Sequence, residues 1–223
     1  MPSQQSETVK RHWGATRRAS QLPPEEQPDP ESADDGWALL TAEAREVDYI
    51  EVDAAGLPAM WAWPKGAAED RVLLGMHGGG FVGGSMYSHR KLFGHLAKAA
   101  GTRALIFDYH LAPAHPHPRQ VDDATAVYEW LLDEGVRARH VAFAGDSAGG
   151  GLAITTQLRA RERGLPPPAS ALPFSPGWIW RQRGTRTRQT VTATASSRGS
   201  SCGSWRESSW DRAATAAIRS PTR

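Results

Sequence analysis

Between His140 and Arg163 the chain passes from a short apolar run to a helical pattern, and the passage is spanned by Gly145-Asp146-Ser147-Ala148-Gly149. His140–Ala144 (HVAFA) has strand character, while Gly151–Arg163 spaces Leu152, Ile154 and Leu158 among good helix formers until Gly164 and the prolines at 166 to 168 stop it. A strand entering a helix through this pentapeptide is tightly constrained. The serine oxygen stands clear only on a sharp turn, which needs small residues two before and two after it; Gly145 and Gly149 supply them. The helix N-terminus then points free N–H groups and a positive dipole end at any oxyanion beside Ser147. Ser147 is therefore the candidate nucleophile.

A second motif is independent of the first. Arg71–Met76 (RVLLGM) reads as a short apolar strand and runs into His77-Gly78-Gly79-Gly80-Phe81. Three consecutive glycines are entropically costly, and a loop whose backbone must approach a ligand justifies that cost. A flexible surface loop or a phosphate cradle would also use them, but together with the serine turn the loop reads as an oxyanion binder.

The other elements alternate. Val47–Val52 and Leu57–Trp63 read as a hairpin around Ala54-Ala55-Gly56. Then follow strand 71–76, helix 89–100 with Ser88 as N-cap and Gly101 as stop, strand 103–108, helix 121–134 closed by Gly135, strand 140–144, helix 148–163 and strand 170–175. This alternation predicts an α/β fold: a mainly parallel sheet with helices on both faces.

The blocks HGGGF (His77–Phe81), DYHLAPAHPHP (Asp108–Pro118) and GDSAGGG (Gly145–Gly151) together resemble the hormone-sensitive-lipase-like family of α/β-hydrolases. The resemblance covers about Val47 to Pro176. It implies the α/β-hydrolase fold, here missing its last strands, and hydrolysis of carboxylic esters, short acyl esters or lactones, through an acyl-enzyme on Ser147. It also implies oxyanion donors at the N–H groups of Gly79, Gly80 and Ala148, supported by His77, Gly78, Gly145, Asp146 and Gly149. No metal and no organic cofactor is implied. The family usually shows Y-R-L-A-P-E in the middle block; His110 stands here for Arg and Ala114 for Glu, which implies loss of a supporting ion pair.

Composition divides the chain. Residues 1–45 are polar, with weak helical stretches at Val9–Arg18 and Trp37–Arg45 around a Pro and acid cluster from Pro23; a cap over the site and a disordered arm both fit. Residues 46–176 form the hydrolase core, incomplete at its C-terminal end. Residues 1–176 carry 17 basic and 22 acidic residues, whereas residues 177–223 carry nine Arg, no Lys and only Glu207 and Asp211 as acids. The tail has no helical or strand period. Its scattered arginines and unaligned tryptophans argue against nucleic-acid binding, leaving a disordered extension or an out-of-frame segment. With G/C-rich codons, one missing base near Ser175-Pro176 lets the neighbouring frame read WVDLAATGD after the strand, which is family-like.

A serine hydroxyl needs a positioned His to take its proton and an acid to orient that His. In α/β-hydrolases both follow the serine. None of the eight histidines lies beyond His140, and the later acids Glu162, Glu207 and Asp211 precede no His. The triad therefore cannot be completed from these residues, and low or no activity is expected. The alternative is a non-catalytic remnant that binds a small apolar ligand or a partner. His110, His115 and His117 are close in sequence but lack a carboxylate or Cys set for a metal. A lone Cys202, an N-terminus without an apolar signal core and no run near ~20 apolar residues predict a cytoplasmic protein without a membrane span. The sequence leaves the oligomeric state open.

Overall fold

The computed structural model describes residues 3–19, 21–26 and 41–177. Within them one six-stranded sheet runs in the order β1-β2-β4-β3-β5-β6. The strands are β1 (Val47–Ala54), β2 (Leu57–Pro64), β3 (Ala68–Met76), β4 (Thr102–Phe107), β5 (Val141–Asp146) and β6 (Ser170–Phe174). The helices are α1 (Gln4–Ala19), α2 (Met86–Ala100), α3 (Arg119–Asp133) and α4 (Ala148–Glu162).

β1 and β2 form the predicted hairpin, pairing Ala54 with Leu57 across a two-residue turn. Ala55 and Gly56 both have positive φ, 58° and 80°, the turn handedness that matches strand twist. Asp53 Oδ1 accepts the Gly56 N–H at 2.8 Å. β2 is antiparallel to β4, and β4, β3, β5 and β6 are parallel neighbours.

Strand alternation builds two cores. Val72, Leu74 and Met76 of β3 with Leu105 and Phe107 of β4 face Val127, Tyr128 and Leu131 of α3 and Leu152 of α4. Leu73, Ala104 and Ile106 point the other way, onto Met86, Phe93 and Ala97 of α2. Each fully buried Leu, Ile or Phe contributes about 1.5–3 kcal/mol. Helices thus cover both faces, as the parallel sheet requires.

That layering positions the site. The chain leaves β3 for β4 on one side and then crosses to β5 on the other, with α2 and α3 on opposite faces. The loops after β3 and β5 consequently meet at the carboxyl ends of adjacent strands, where open α/β sheets bind ligands.

Two local expectations are corrected. α2 begins at Met86, capped by Ser85 instead of Ser88: Ser85 Oγ accepts Ser88 N–H at 3.1 Å and Ser88 Oγ accepts Ser85 N–H at 2.9 Å. Gly101 stops α2 in the left-handed conformation, as predicted. Of the expected helix Trp37–Arg45, Thr41–Arg45 is not helical, and residues 37–40 lie outside the described residues. Its carbonyls are taken by α2 side chains: Lys91 Nζ donates to Thr41 O (3.2 Å) and Lys98 Nζ to Arg45 O (2.8 Å), while His95 Nε2 lies 2.9 Å from Ala42 O. The readings made for residues 178–223 also fall outside the described residues. Among those described, β6 is one edge of the sheet, opposite β1, with Leu172 46% and Phe174 40% exposed.

Candidate active site

Ser147 is exposed at the junction of β5 and α4, while the helix behind it is buried from Ala148 to Ala153. Its backbone has φ 49° and ψ −117°, a region that costs a non-glycine residue on the order of 1–3 kcal/mol. Ser147 is the N-cap of α4, yet its side chain makes no capping hydrogen bond. The turn is held from β6 and just beyond it: Ser147 N–H donates to Phe174 O at 2.9 Å, and Gly177 N–H donates to Ser147 O at 2.8 Å. The flanking glycines have no room for a side chain. A Cβ at Gly145 would overlap Gly149 O, and one at Gly149 would overlap Met76 O.

Beside this turn lies the glycine loop. Gly79, Gly80 and Phe81 have successive positive φ values of 119°, 64° and 63°. The loop is tied back on itself, with Val82 and Gly83 N–H groups both donating to Gly79 O at 3.1 Å. Gly78 is buried, whereas Gly79 and Gly80 are exposed. The two loops are linked directly: Gly78 N–H donates to Asp146 Oδ1 at 3.1 Å.

His77 anchors the loop from beneath. It is 1% exposed, its Nδ1 lies 2.8 Å from Gly78 O, and it stacks on Tyr109. Burial pushes its pKa down to about 4, so the ring is neutral near pH 7 with Nδ1–H donating to Gly78 O. A buried ring spending its proton on the loop backbone supports a structural role.

Asp146 points away from a triad-acid role. Burial works against its charge, but the hydrogen bond and charge of His89, with the Gly78 N–H, outweigh burial and hold the carboxyl below its usual value. His89 Nε2 lies 3.4 Å from Asp146 Oδ1. Nothing in the sequence singled out His89, because a His on an amphipathic helix carries no mark of the strand end it meets. Two further supports were also missed. Tyr109 donates to His77 O at 2.8 Å, and Asp108 Oδ1 accepts Met86 N–H at 2.5 Å, fixing the first turn of α2.

Where the family shows Arg, His110 meets a carboxylate from α3. Asp123, 5% exposed in its side chain, has Oδ2 2.8 Å from His110 Nδ1 and Oδ1 2.9 Å from Arg119 Nε. That carboxylate also meets the guanidinium of Arg119, one helical turn before it. His115 packs edge-on to His110 at 4.4 Å, and Gln120 Nε2 donates to the carbonyls of both. Among the described residues no group of His, Cys, Asp and Glu is arranged to hold a metal. Nor is any described helix long and apolar enough to cross a membrane.

A family described as alpha/beta hydrolase fold matches residues 73–221, a span that holds both site loops and also runs past Pro176. The human hormone-sensitive lipase is 35% identical over 111 residues, 48% of this chain and 10% of that protein. The chain belongs to the hormone-sensitive-lipase-like family of α/β-hydrolases. An acetyl-hydrolase of Streptomyces hygroscopicus is 44% identical over 115 residues, 51% of this chain and 38% of its own. The crystal structure of an esterase from the bacterial hormone-sensitive lipase family superposes with TM-score 0.69 at 35% identity, covering 80% of this chain and 59% of that one. The matched region thus spans less than half of those two curated relatives and about three-fifths of the solved esterase.

Proposed function

We propose that Ser147 is the nucleophile of a carboxylic-ester hydrolase acting on small esters through an acyl-enzyme. The observation that carries this is an exposed serine, strained at a helix N-terminus, beside a glycine loop on the adjacent strand end. In this reading Ser147 Oγ attacks the carbonyl carbon, and the N–H groups of Gly79, Gly80 and Ala148 receive the oxyanion. Each such donor is worth on the order of 3 kcal/mol in kcat. The alcohol leaves, and water then releases the acid. Lactones would react by the same steps, with ring opening in place of alcohol release. The acetyl-hydrolase name of the Streptomyces relative and the ethyl acetate hydrolase name of a Pseudomonas putida one favour a short acyl group.

The 223 residues supply no His after His140, and His77 is buried and engaged. The proton of Ser147 therefore lacks the partner the family places downstream, and this chain by itself turns over slowly. That same lack favours a second reading, a non-catalytic remnant that holds a small apolar ligand or a partner. A fluorophosphonate probe tests between them: labelling at Ser147, abolished in Ser147→Ala, supports the nucleophile, and silence with retained ligand binding supports the remnant.

A further inference from the structure

We propose that His89 is a positioning residue that fixes the oxyanion loop to the nucleophile turn through Asp146. The inference rests on the oxyanion role proposed for Gly79 and Gly80, and it assigns His89 no contact with the substrate.

Three separate elements meet at one carboxylate oxygen. Asp146 is the last residue of β5 and directly precedes Ser147. Its Oδ1 accepts the N–H of Gly78, which directly precedes Gly79, at 3.1 Å. His89 on α2 brings Nε2 to 3.4 Å from that oxygen and to 3.3 Å from Gly78 N. One nitrogen cannot both accept from Gly78 and donate to Asp146. The carboxylate takes the Gly78 N–H at the shorter distance, and in this proposal Nε2 carries a proton and faces the same oxygen.

The ring is held for this task. Nδ1 lies 2.8 Å from Ser88 Oγ, the hydroxyl of the α2 capping box, and the His89 side chain is 13% exposed. The His77 ring lies 5.6 Å away on the other side. His89 thus relays the position of the α2 N-terminus to Asp146. Without it the carboxylate loses its contact with α2, and either site loop can shift relative to the other.

The test compares the full chain with His89→Phe, which keeps a ring but no donor, and His89→Gln, whose amide reaches where Nε2 does. Two readouts are taken: the rate of fluorophosphonate labelling at Ser147 and amide hydrogen exchange of residues 77–81. We expect His89→Phe to label at least tenfold more slowly and to exchange faster in that segment, with His89→Gln within threefold of the unaltered chain on both. Unchanged labelling and exchange in folded His89→Phe would overturn the proposal, as would equal losses in His89→Gln. If the unaltered chain takes no label, the nucleophile reading fails by itself and exchange alone decides the role of His89. Should His89→Phe not fold, His89→Asn, too short to reach Asp146, takes its place under the same criteria.

Discussion

Tyr109 lies against His77 with ring centroids 4.1 Å apart and planes 8° from parallel, and its hydroxyl donates to the His77 carbonyl at 2.8 Å. One residue thus holds both the ring and the backbone at the root of the glycine loop. Tyr109→Phe keeps the stack and leaves a buried carbonyl without its donor. The expected loss is about 1–2 kcal/mol in chemical denaturation. Tyr109→Ala, which also removes the stack and opens a cavity, should cost about 3–5 kcal/mol.

Acid weakens the same root. His77 has a folded pKa of about 4 against an ordinary 6.5, so the unfolded chain binds the proton more readily between those values. Its contribution is therefore unchanged above pH 6.5 and is lost as pH falls toward 4, by about 3 kcal/mol in all. Asp146, with its pKa lowered, loses its own contribution only below that window. Denaturation curves from pH 7 to 4 should be flatter in His77→Asn by roughly this amount; parallel curves would refute the assignment.

The backbone strain at Ser147 gives an opposed pair of effects. Ser147→Gly relieves a positive φ and should raise stability by about 1 kcal/mol. The same variant must lose all labelling by a serine probe. A stabilised, unlabelled protein is the expected result, and no stabilisation would show that the turn is not strained.

Gly149→Ala is predicted to be the most damaging small substitution at the turn. Its Cβ would enter the space of Met76 O, with His77 O at 2.6 Å, and both belong to backbone that cannot step aside cheaply. A destabilisation of about 3 kcal/mol or more is expected by thermal or chemical unfolding. Labelling of whatever folded fraction remains should also slow, since the two loops would be pushed apart.

The 223-residue chain should hydrolyse p-nitrophenyl butyrate about 10⁶-fold more slowly than relatives with a complete triad, judged by the effect of triad knockouts. Rates near those relatives, lost in Ser147→Ala, would show that another group takes the proton. Sequencing the gene through codons 174 to 180 tests the out-of-frame reading of the tail: it requires a family-like neighbouring frame.

The main elements were legible because each carries a local signal. Leu73 and Leu74 alternate between opposite faces of β3, and Gly101 and Gly135 end their helices where left-handed backbone is needed. The serine turn and the glycine loop were legible for a similar reason, since both depend on residues adjacent in sequence. What joins them was not. His89 reaches Asp146 across 57 positions, and Tyr109 reaches His77 across 32, through hydrogen bonds that leave no periodicity behind. The contact of His110 with Asp123 was not legible either, because the carboxylate comes from a helix 13 positions further on.

Ser147 N–H donates to Phe174 O and Ser147 O accepts from Gly177 N–H, so the main-chain frame around this serine closes at the very point where composition changes. The chain is therefore divisible there. A C-terminal portion taken from another hydrolase would meet a serine turn already bonded to β6 and, on the reading proposed above, would have to bring a base and its acid. The junction after Gly177 is a natural seam for building chimeric hydrolases.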